Sequence, residues 1–461
     1  MPLIKSISGI RGTIGGVKGK GLTPPDIIKF VTAYSQMVLE NDKQPKVVVG
    51  RDGRMSGDIV NKLVTATLMS CGIDVIDLGL STTPTVEMAV VMEKAQGGII
   101  LTASHNPKEW NALKLLNALG EFISDEEGKR LLSLAEEDFH YPFINELGKY
   151  SNKEGYEKFH IAEIMQMELV KKDFIKQKNF NVVVDAINST GATAVPLLLK
   201  ELGIKNFEVL NGEITGDFAH NPEPLEKHLV QISDWIKVNK ADLGIVVDPD
   251  VDRLCFIDEN GEMFGEEYTL VAIADYVLQH KKGPAVSNLS SSRALRDICN
   301  KHEVDYYASA VGEVNVVEKM KDKNAVIGGE GNGGIIVPEL HYGRDALAGI
   351  ALFMSHLAQK STTISELKKS YPDYVMIKNK IQLTPEINID VLLRNIEKEF
   401  SNANVNNEDG VKIDFENSWV HLRKSNTEPI IRIYAEGTSK EHCNDLVSLL
   451  MDKVNNMMHS S

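Results

Sequence analysis

Three carboxylates at alternate positions, Asp248-Pro249-Asp250-Val251-Asp252, with Arg253 behind them, are the densest chemistry in the chain. Carboxylates this close repel one another as anions. They converge readily on one hard cation through oxygen. The stretch lacks the central glycine and the closing bidentate glutamate of an EF-hand loop, which argues against Ca²⁺ sensing. Mg²⁺ takes few protein carboxylates and completes its shell with water and substrate phosphate. The triad therefore reads as a site for one Mg²⁺ per chain, and Arg253 can reach a phosphate. The plainer alternative is a solvated acidic turn.

Thr102-Ala103-Ser104-His105-Asn106-Pro107 sets a hydroxyl beside an imidazole, and Lys114 adds an amine ten residues on. These groups suit chemistry on the Ser104 oxygen, though a polar turn with a capping serine has the same composition. Gly328-Gly329-Glu330-Gly331-Asn332-Gly333-Gly334 offers a carboxylate and an amide on an open loop, a pair suited to vicinal hydroxyls. It has neither a Lys-Ser/Thr ending nor a GxGxxG helix start, so a nucleotide loop ranks low, and a bare turn stays open. Arg423-Lys424-Ser425-Asn426-Thr427-Glu428-Pro429, with Arg432 beyond, collects hydroxyls, an amide and cations into an anion cradle. Arg11 stands among glycines in Ser8 to Gly16. Alone it reads as part of a flexible loop, and with partners as a phosphate ligand.

The elements that must carry these groups repeat. Lys46 to Gly50, Asn181 to Asp185 and Ala285 to Leu289 are apolar strands. Each runs into a polar loop, then a helix, then a Gly or polar stop and another strand, which is a βαβ signature. Leu243 to Val247 feeds the aspartates, and Gly98 to Leu101 feeds the serine turn, so both sites stand at strand C-terminal ends where α/β sheets place ligands. A capped helix is expected from Thr23 to Leu39. After Tyr371-Pro372-Asp373, helices and strands segregate: helix 390–400, strands 411–415, 419–422 and 430–435, and helix 440–456. The expected architecture is three similar α/β domains with mixed sheets, at 1–145, 146–253 and 254–370, and a smaller α+β domain at 371–461.

At 461 residues and 43% hydrophobic content the chain can build several cores. Fifty basic against 65 acidic residues give a formal charge of -15, which disfavours nucleic acid and membrane surfaces as partners. Four scattered cysteines without a CxxC pair fit reduced thiols. There is no leader-like start and no run of transmembrane length, so a cytoplasmic protein is expected.

Taken together and in this order, the four clusters resemble the α-D-phosphohexomutase family along the whole chain. Thr102 to Pro107 resembles its phosphoserine loop, Asp248 to Arg253 its Mg²⁺ loop, Gly329 to Gly334 its sugar loop and Arg423 to Pro429 its phosphate loop. The resemblance implies four domains around a central cleft, one loop from each. It implies that hexose or hexosamine 6-phosphate and 1-phosphate interconvert through phosphorylated Ser104 and a sugar bisphosphate, which is both intermediate and activator. Ser104 would join Asp248, Asp250 and Asp252 on the metal. His105 and Lys114 would serve as acid or base, with Arg11 and Arg253 balancing charge. Glu330, Asn332 and Glu313 would contact sugar, and Arg423, Ser425, Asn426, Thr427 and Arg432 the distal phosphate. The partners would be small sugar phosphates, and the protein a monomer or homodimer.

Three positions depart from the pattern. Asn332-Gly333-Gly334 stands where many bacterial members have Ser-Gly-His, Glu313 where some have His, and Ala112 where Gly is usual. The Asn-Gly-Gly form resembles archaeal-type phosphoglucosamine mutases, so glucosamine phosphates are the expected substrates. Bifunctional phosphomannomutase/phosphoglucomutase activity is the alternative. A sugar-phosphate sensor without turnover and a metal-dependent phosphatase are the competing classes.

Overall fold

The computed structural model describes residues 3–6, 9–40, 42, 44–382, 389–400, 402–424 and 430–459. Four sheets follow one another along the chain. The first has seven strands in the order 4–6, 9–13, 110–116, 97–101, 46–51, 74–80, 150–152. The second and third have four strands each, ordered 254–257, 243–247, 181–185, 206–210 and 306–309, 285–288, 327–330, 334–336. The fourth is a five-stranded antiparallel sheet, 375–382, 430–437, 419–424, 411–414, 404–406, with helices Ile389–Glu399 and Lys440–His459.

One rule places three of the four loops. In each of the first three sheets a buried parallel strand turns back on itself as an antiparallel partner: 97–101 to 110–116, 243–247 to 254–257, 327–330 to 334–336. The serine, aspartate and glutamate loops are these three turns. The strand stretches Val47–Val49 and Ile245–Val247 are β-branched and buried, as parallel strands covered on both faces must be.

Helix Ala346–Lys360 is apolar almost all round and buried almost throughout, which requires neighbours on every side. It packs against helices of both the second and third domains, and one continuous core runs from Ile161 to Tyr371. The main cores of the first and fourth domains are separate from it.

Sheet membership corrects two boundaries. Strand Tyr150–Asn152 pairs in parallel with 74–80, so the first sheet extends past residue 145. Strand Leu254–Ile257 closes the second sheet, so that domain does not end at Arg253. The stretch around Arg11 is also not a loop. Gly9–Thr13 is a strand between 4–6 and 110–116. A Cβ on Gly12 would come within 2.9 Å of the Leu22 amide nitrogen, so glycine serves close packing here rather than mobility.

Candidate active site

Ser104 sits just past strand 97–101 with φ of +48°, a left-handed conformation rare for a residue with a Cβ. Its surroundings over-determine that geometry. The Ser104 amide donates to Thr102 Oγ1 at 2.9 Å, and Thr102 Oγ1 donates to Asp52 Oδ2 at 2.7 Å. Arg54, 1% exposed, pairs with Asp52 and donates to the carbonyls of Ser104, Asn106, Pro107 and Trp110. One guanidinium thus clamps the whole turn. Strain held this firmly marks a functional site.

The Ser104 hydroxyl donates to Asp248 Oδ2 at 2.7 Å, across the junction of the first two domains. His105 Nδ1 lies 3.4 Å from the same oxygen. Burial, then the Arg253 charge, holds the His105 imidazole well below its ordinary pKa, so it is neutral at physiological pH.

The three aspartates are fully buried, and one ligand oxygen from each lies within 4.8 Å of the others. Val251, at φ of +60°, gives the turn that brings them together. Asp248 Oδ1 accepts the amides of Asp252 and Arg253. Asp250 Oδ2 accepts Lys114 Nζ at 2.7 Å and Thr83 Oγ1 at 2.6 Å. Asp252 Oδ2 accepts Arg344 Nη2 at 2.6 Å and Lys114 Nζ at 3.2 Å. The other oxygens, Asp250 Oδ1 and Asp252 Oδ1, are buried without a hydrogen-bond partner among the described residues. Burial, then Asp252 and Asp250, drives the Asp248 carboxyl well above the usual range. Burial works the same way on Asp252, but Arg344, Lys114 and Arg253 together pull it well below. Lys114 is opposed by burial and raised by Asp250 and Asp252, so it stands as an ammonium. Hard oxygen donors with unmatched lone pairs fit a divalent cation.

A cleft of about 760 Å³ opens beside these groups. It is lined by Arg11, His105, Arg253, Glu330, Asn332, Arg423 and Arg432, so residues from all four domains meet there. Arg423 and Arg432 are directly opposed on neighbouring strands. Facing like charges are unfavourable, and an anion between them removes that cost. Arg423 Nε is 3.1 Å from Asp409 Oδ2, and Arg432 Nη1 donates to the Tyr434 hydroxyl at 3.4 Å. Ser425, Asn426 and Thr427 lie outside the described residues.

Glu330 accepts Asn288 Nδ2 at 3.0 Å and Arg344 Nη1 at 2.9 Å. The Glu313 carboxylate accepts the Arg344 amide at 2.9 Å and pairs with Arg344 Nε at 3.0 Å. Arg344, which the sequence did not single out, therefore ties Asp252, Glu313 and Glu330 together. Arg54 and Thr83 escaped notice for the same reason: each is a lone residue that acts on groups far along the chain. The cleft also presents Glu223, Glu266, Glu267 and Lys378.

A strained serine bonded to a carboxylate triad, under a cleft built by four domains, belongs to an isomerase of the phosphohexomutase class. Four family models cover the chain: phosphoglucomutase/phosphomannomutase alpha/beta/alpha domain I at residues 4–141, domain II at 158–261, domain III at 265–374, and the C-terminal domain at 386–453. A phosphoglucomutase/phosphomannomutase of Thermococcus kodakarensis is 36% identical over 444 residues, 95% of this chain and 96% of the relative. A phosphoglucosamine/phosphogalactosamine mutase of Sulfurisphaera tokodaii is 33% identical over 449 residues, 95% of this chain and 97% of the relative. A phosphoglucomutase/phosphomannomutase family protein from Burkholderia thailandensis shares the fold with a TM-score of 0.83 at 23% identity, over 97% of this chain and 96% of that one. The chain belongs to the phosphoglucomutase/phosphomannomutase family. Among the described residues no helix is long and apolar enough to cross a membrane.

Proposed function

We propose that this phosphohexomutase interconverts glucosamine 6-phosphate and glucosamine 1-phosphate through phosphorylated Ser104 and a glucosamine bisphosphate that turns over in the cleft. The observation that carries the reaction type is the Ser104–Asp248 contact at 2.7 Å, opening on a cleft that also presents the opposed Arg423 and Arg432. In the forward half-reaction the P–O bond to Ser104 Oγ breaks and a bond to the sugar hydroxyl forms. Neutral His105 is available to take the hydroxyl proton. Arg11, Arg253 and Lys114 offset the charge of phosphoserine and the aspartates. Arg423 and Arg432 grip whichever phosphate is not reacting. The aspartates and Ser104 would hold Mg²⁺, which when bound neutralises charge on the transferring phosphoryl group.

The sugar preference rests on Glu223, Glu266 and Glu267 in the cleft wall. Burial pushes the Glu267 carboxyl up to about 8 and raises Glu266 too, against the pull of Lys378 in the same cleft, so one cation faces two acids and both gain from a further one. The ammonium of a 2-amino sugar supplies one; a 2-hydroxyl does not. Coupled assays with glucosamine, glucose and mannose 6-phosphates test this. Glucosamine 6-phosphate should have the highest kcat/KM, and Glu266→Gln should lower its advantage. Equal or better turnover of mannose and glucose phosphates would favour bifunctional phosphomannomutase/phosphoglucomutase activity, the reading supported by the name of the 36% identical relative. Stoichiometric release of inorganic phosphate would indicate a phosphatase, and binding without turnover a sensor. Four free, buried cysteines accord with a reducing, cytoplasmic setting.

A further inference from the structure

A second cavity, of about 180 Å³, lies at the seam of the third and fourth domains, and none of its lining residues lines the cleft. Its charged lining is Arg293, Arg296, Lys412 and Asp414. Arg293 is 9% exposed and Lys412 6%. Arg293 uses Nη2 on the Glu416 carbonyl, but its Nε and Nη1 are buried with no hydrogen-bond partner among the described residues. Lys412 Nζ donates to the Leu289 carbonyl at 2.8 Å and sits 4.3 Å from the centre of the Trp419 ring, with no carboxylate in ion-pair range among the described residues. Arg296 pairs loosely with Asp414 at 3.5 Å. The other nearby carboxylate, Glu436, already accepts Trp419 Nε1 and the Arg293 amide through one oxygen. Three cations against two acids leave a positive surplus in a partly closed space. Burial lowers the Lys412 pKa to about 8, and Arg296 and Arg293 add to the effect against Asp414 and Glu436. Buried cations without full partners are costly, and an oxyanion with several acceptor atoms removes the cost.

We propose that this cavity binds a small tetrahedral oxyanion of the phosphate class, held by Arg293, Arg296 and Lys412. The volume admits such an ion and is larger than a single water requires. Its occupant bridges two domains: Arg293 and Arg296 come from the third, Lys412 from the fourth. Lys412 is bonded to Leu289, and the next residue, Ser290, lines the cleft and bonds His421 of the fourth domain. Binding therefore sets how the fourth domain, which carries Arg423 and Arg432, is seated.

Trp419 is the natural reporter. In full-length protein carrying Trp110→Phe and Trp235→Phe, it is the one tryptophan left. Potassium phosphate, titrated at constant ionic strength with potassium chloride, should change its emission saturably. Lys412→Met and Arg293→Met should each raise the apparent Kd at least tenfold, and Arg296→Gln, at a partly exposed position tolerant of change, severalfold. Arg423→Ala, which damages the cleft cradle, should leave the titration unchanged. Glycerol 3-phosphate forms a parallel arm: a response to it as well assigns the site to phosphate esters, and a response to inorganic phosphate alone assigns it to the free ion. The proposal is overturned if chloride gives the same change. It is also overturned if Lys412→Met and Arg296→Gln titrate like the parent, or if Arg423→Ala abolishes the response.

Discussion

Arg344 and Asp345 are consecutive residues that enter two different buried ionic clusters. Arg344 joins Asp252, Glu313 and Glu330 at the cleft. Asp345 joins His160 at 2.8 Å and His341 at 3.2 Å, with Glu87 3.2 Å beyond His341. The aspartate triad that Arg344 serves and the His160–His341–Asp345 group both bring ligand-type atoms within 4.8 Å of one another, so proximity does not separate them. Satisfaction does. Asp345 Oδ1 caps helix 346–360 by accepting the amides of Leu347 and Ala348, and Oδ2 serves both histidines. His160 Nδ1 bonds Thr85 Oγ1 at 3.0 Å. The aspartate triad instead leaves Oδ1 of Asp250 and of Asp252 without partners among the described residues. The cluster closed at Asp345 ties domains together, here helix 83–92 of the first, helix 156–166 of the second and the turn before helix 346–360 of the third. Its open atoms, His341 Nδ1 and the two Glu87 oxygens, face one another as an ion pair at 3.2 Å, whereas the open oxygens of the triad are all carboxylate oxygens and need a cation from outside.

The largest effects should come from breaking the open cluster. We predict that Ser104→Ala lowers mutase turnover by on the order of a thousandfold or more, as removing a nucleophile does, with little change in Tm. Phosphate should map to Ser104 in active protein. Chelation should remove activity and Mg²⁺ restore it, and Mg²⁺ should raise the Tm of the wild type but not of Asp248→Asn. An active Ser104→Ala variant, or a wild type that keeps full activity in chelator, contradicts the assignment.

Breaking the closed cluster should cost stability instead. Asp345→Ala strands two buried histidines and uncaps a helix, and removing one partner of a buried pair costs about 3–5 kcal/mol. Denaturant unfolding should show that loss, while kcat of the folded protein at 25 °C falls less than about tenfold. A kcat collapse comparable to Ser104→Ala with unchanged stability would place Asp345 in the chemistry.

A smaller effect sits on the far wall of the cleft. Arg423→Ala removes a charge-assisted contact worth roughly 1.5–3 kcal/mol, about tenfold to a hundredfold in kcat/KM. Equilibrium titration of unphosphorylated Ser104→Ala protein should show both monophosphates bound more weakly once Arg423→Ala is added. Weakening of only one means that the two phosphates are not gripped by a shared cradle.

The two clusters also explain what was legible in the sequence. Asp248, Asp250 and Asp252 announce themselves because the ligands are contiguous, and Ser104 with His105 because the reacting groups are neighbours. Each lies in a turn after an apolar strand, so the sheets were readable with them. Arg344, Arg54 and Thr83 are single residues, most of whose partners lie far along the chain, and nothing local distinguishes them from surface cations and hydroxyls. Glu313 was read as a sugar contact from the family resemblance alone, and its pairing with Arg344 from the start of helix Glu313–Lys323 had no signal in the sequence. The boundaries at 145 and 253 missed for a related reason. Strands 150–152 and 254–257 pair with strands that composition cannot nominate as partners.

The subtlest prediction concerns the acidic end of the closed cluster. Burial pushes the Glu87 carboxyl up to about 8. His341 is opposed by burial, but Asp345 and Glu87 raise it to about 10. Both groups therefore bind protons more tightly folded than unfolded, Glu87 between about 4.5 and 8 and His341 between about 6.5 and 10. Stability from this pair is present at the acid end and is lost as pH rises through those ranges, at most about 1.4 kcal/mol per pH unit for each full proton. Glu313 repels Glu87 and Lys114 attracts it, and the rest of the molecule adds its own slope. Comparing wild type with Glu87→Gln cancels most of that background. A glutamine resembles the protonated glutamate, so the two proteins should have similar unfolding free energies near about pH 5. Above it the wild type should fall more steeply, because only it must give up the Glu87 proton. Parallel curves from about pH 5 to about pH 10 would mean that Glu87 is ionised at every pH, its charge matched by His341 as completely as Asp345 is matched by its partners.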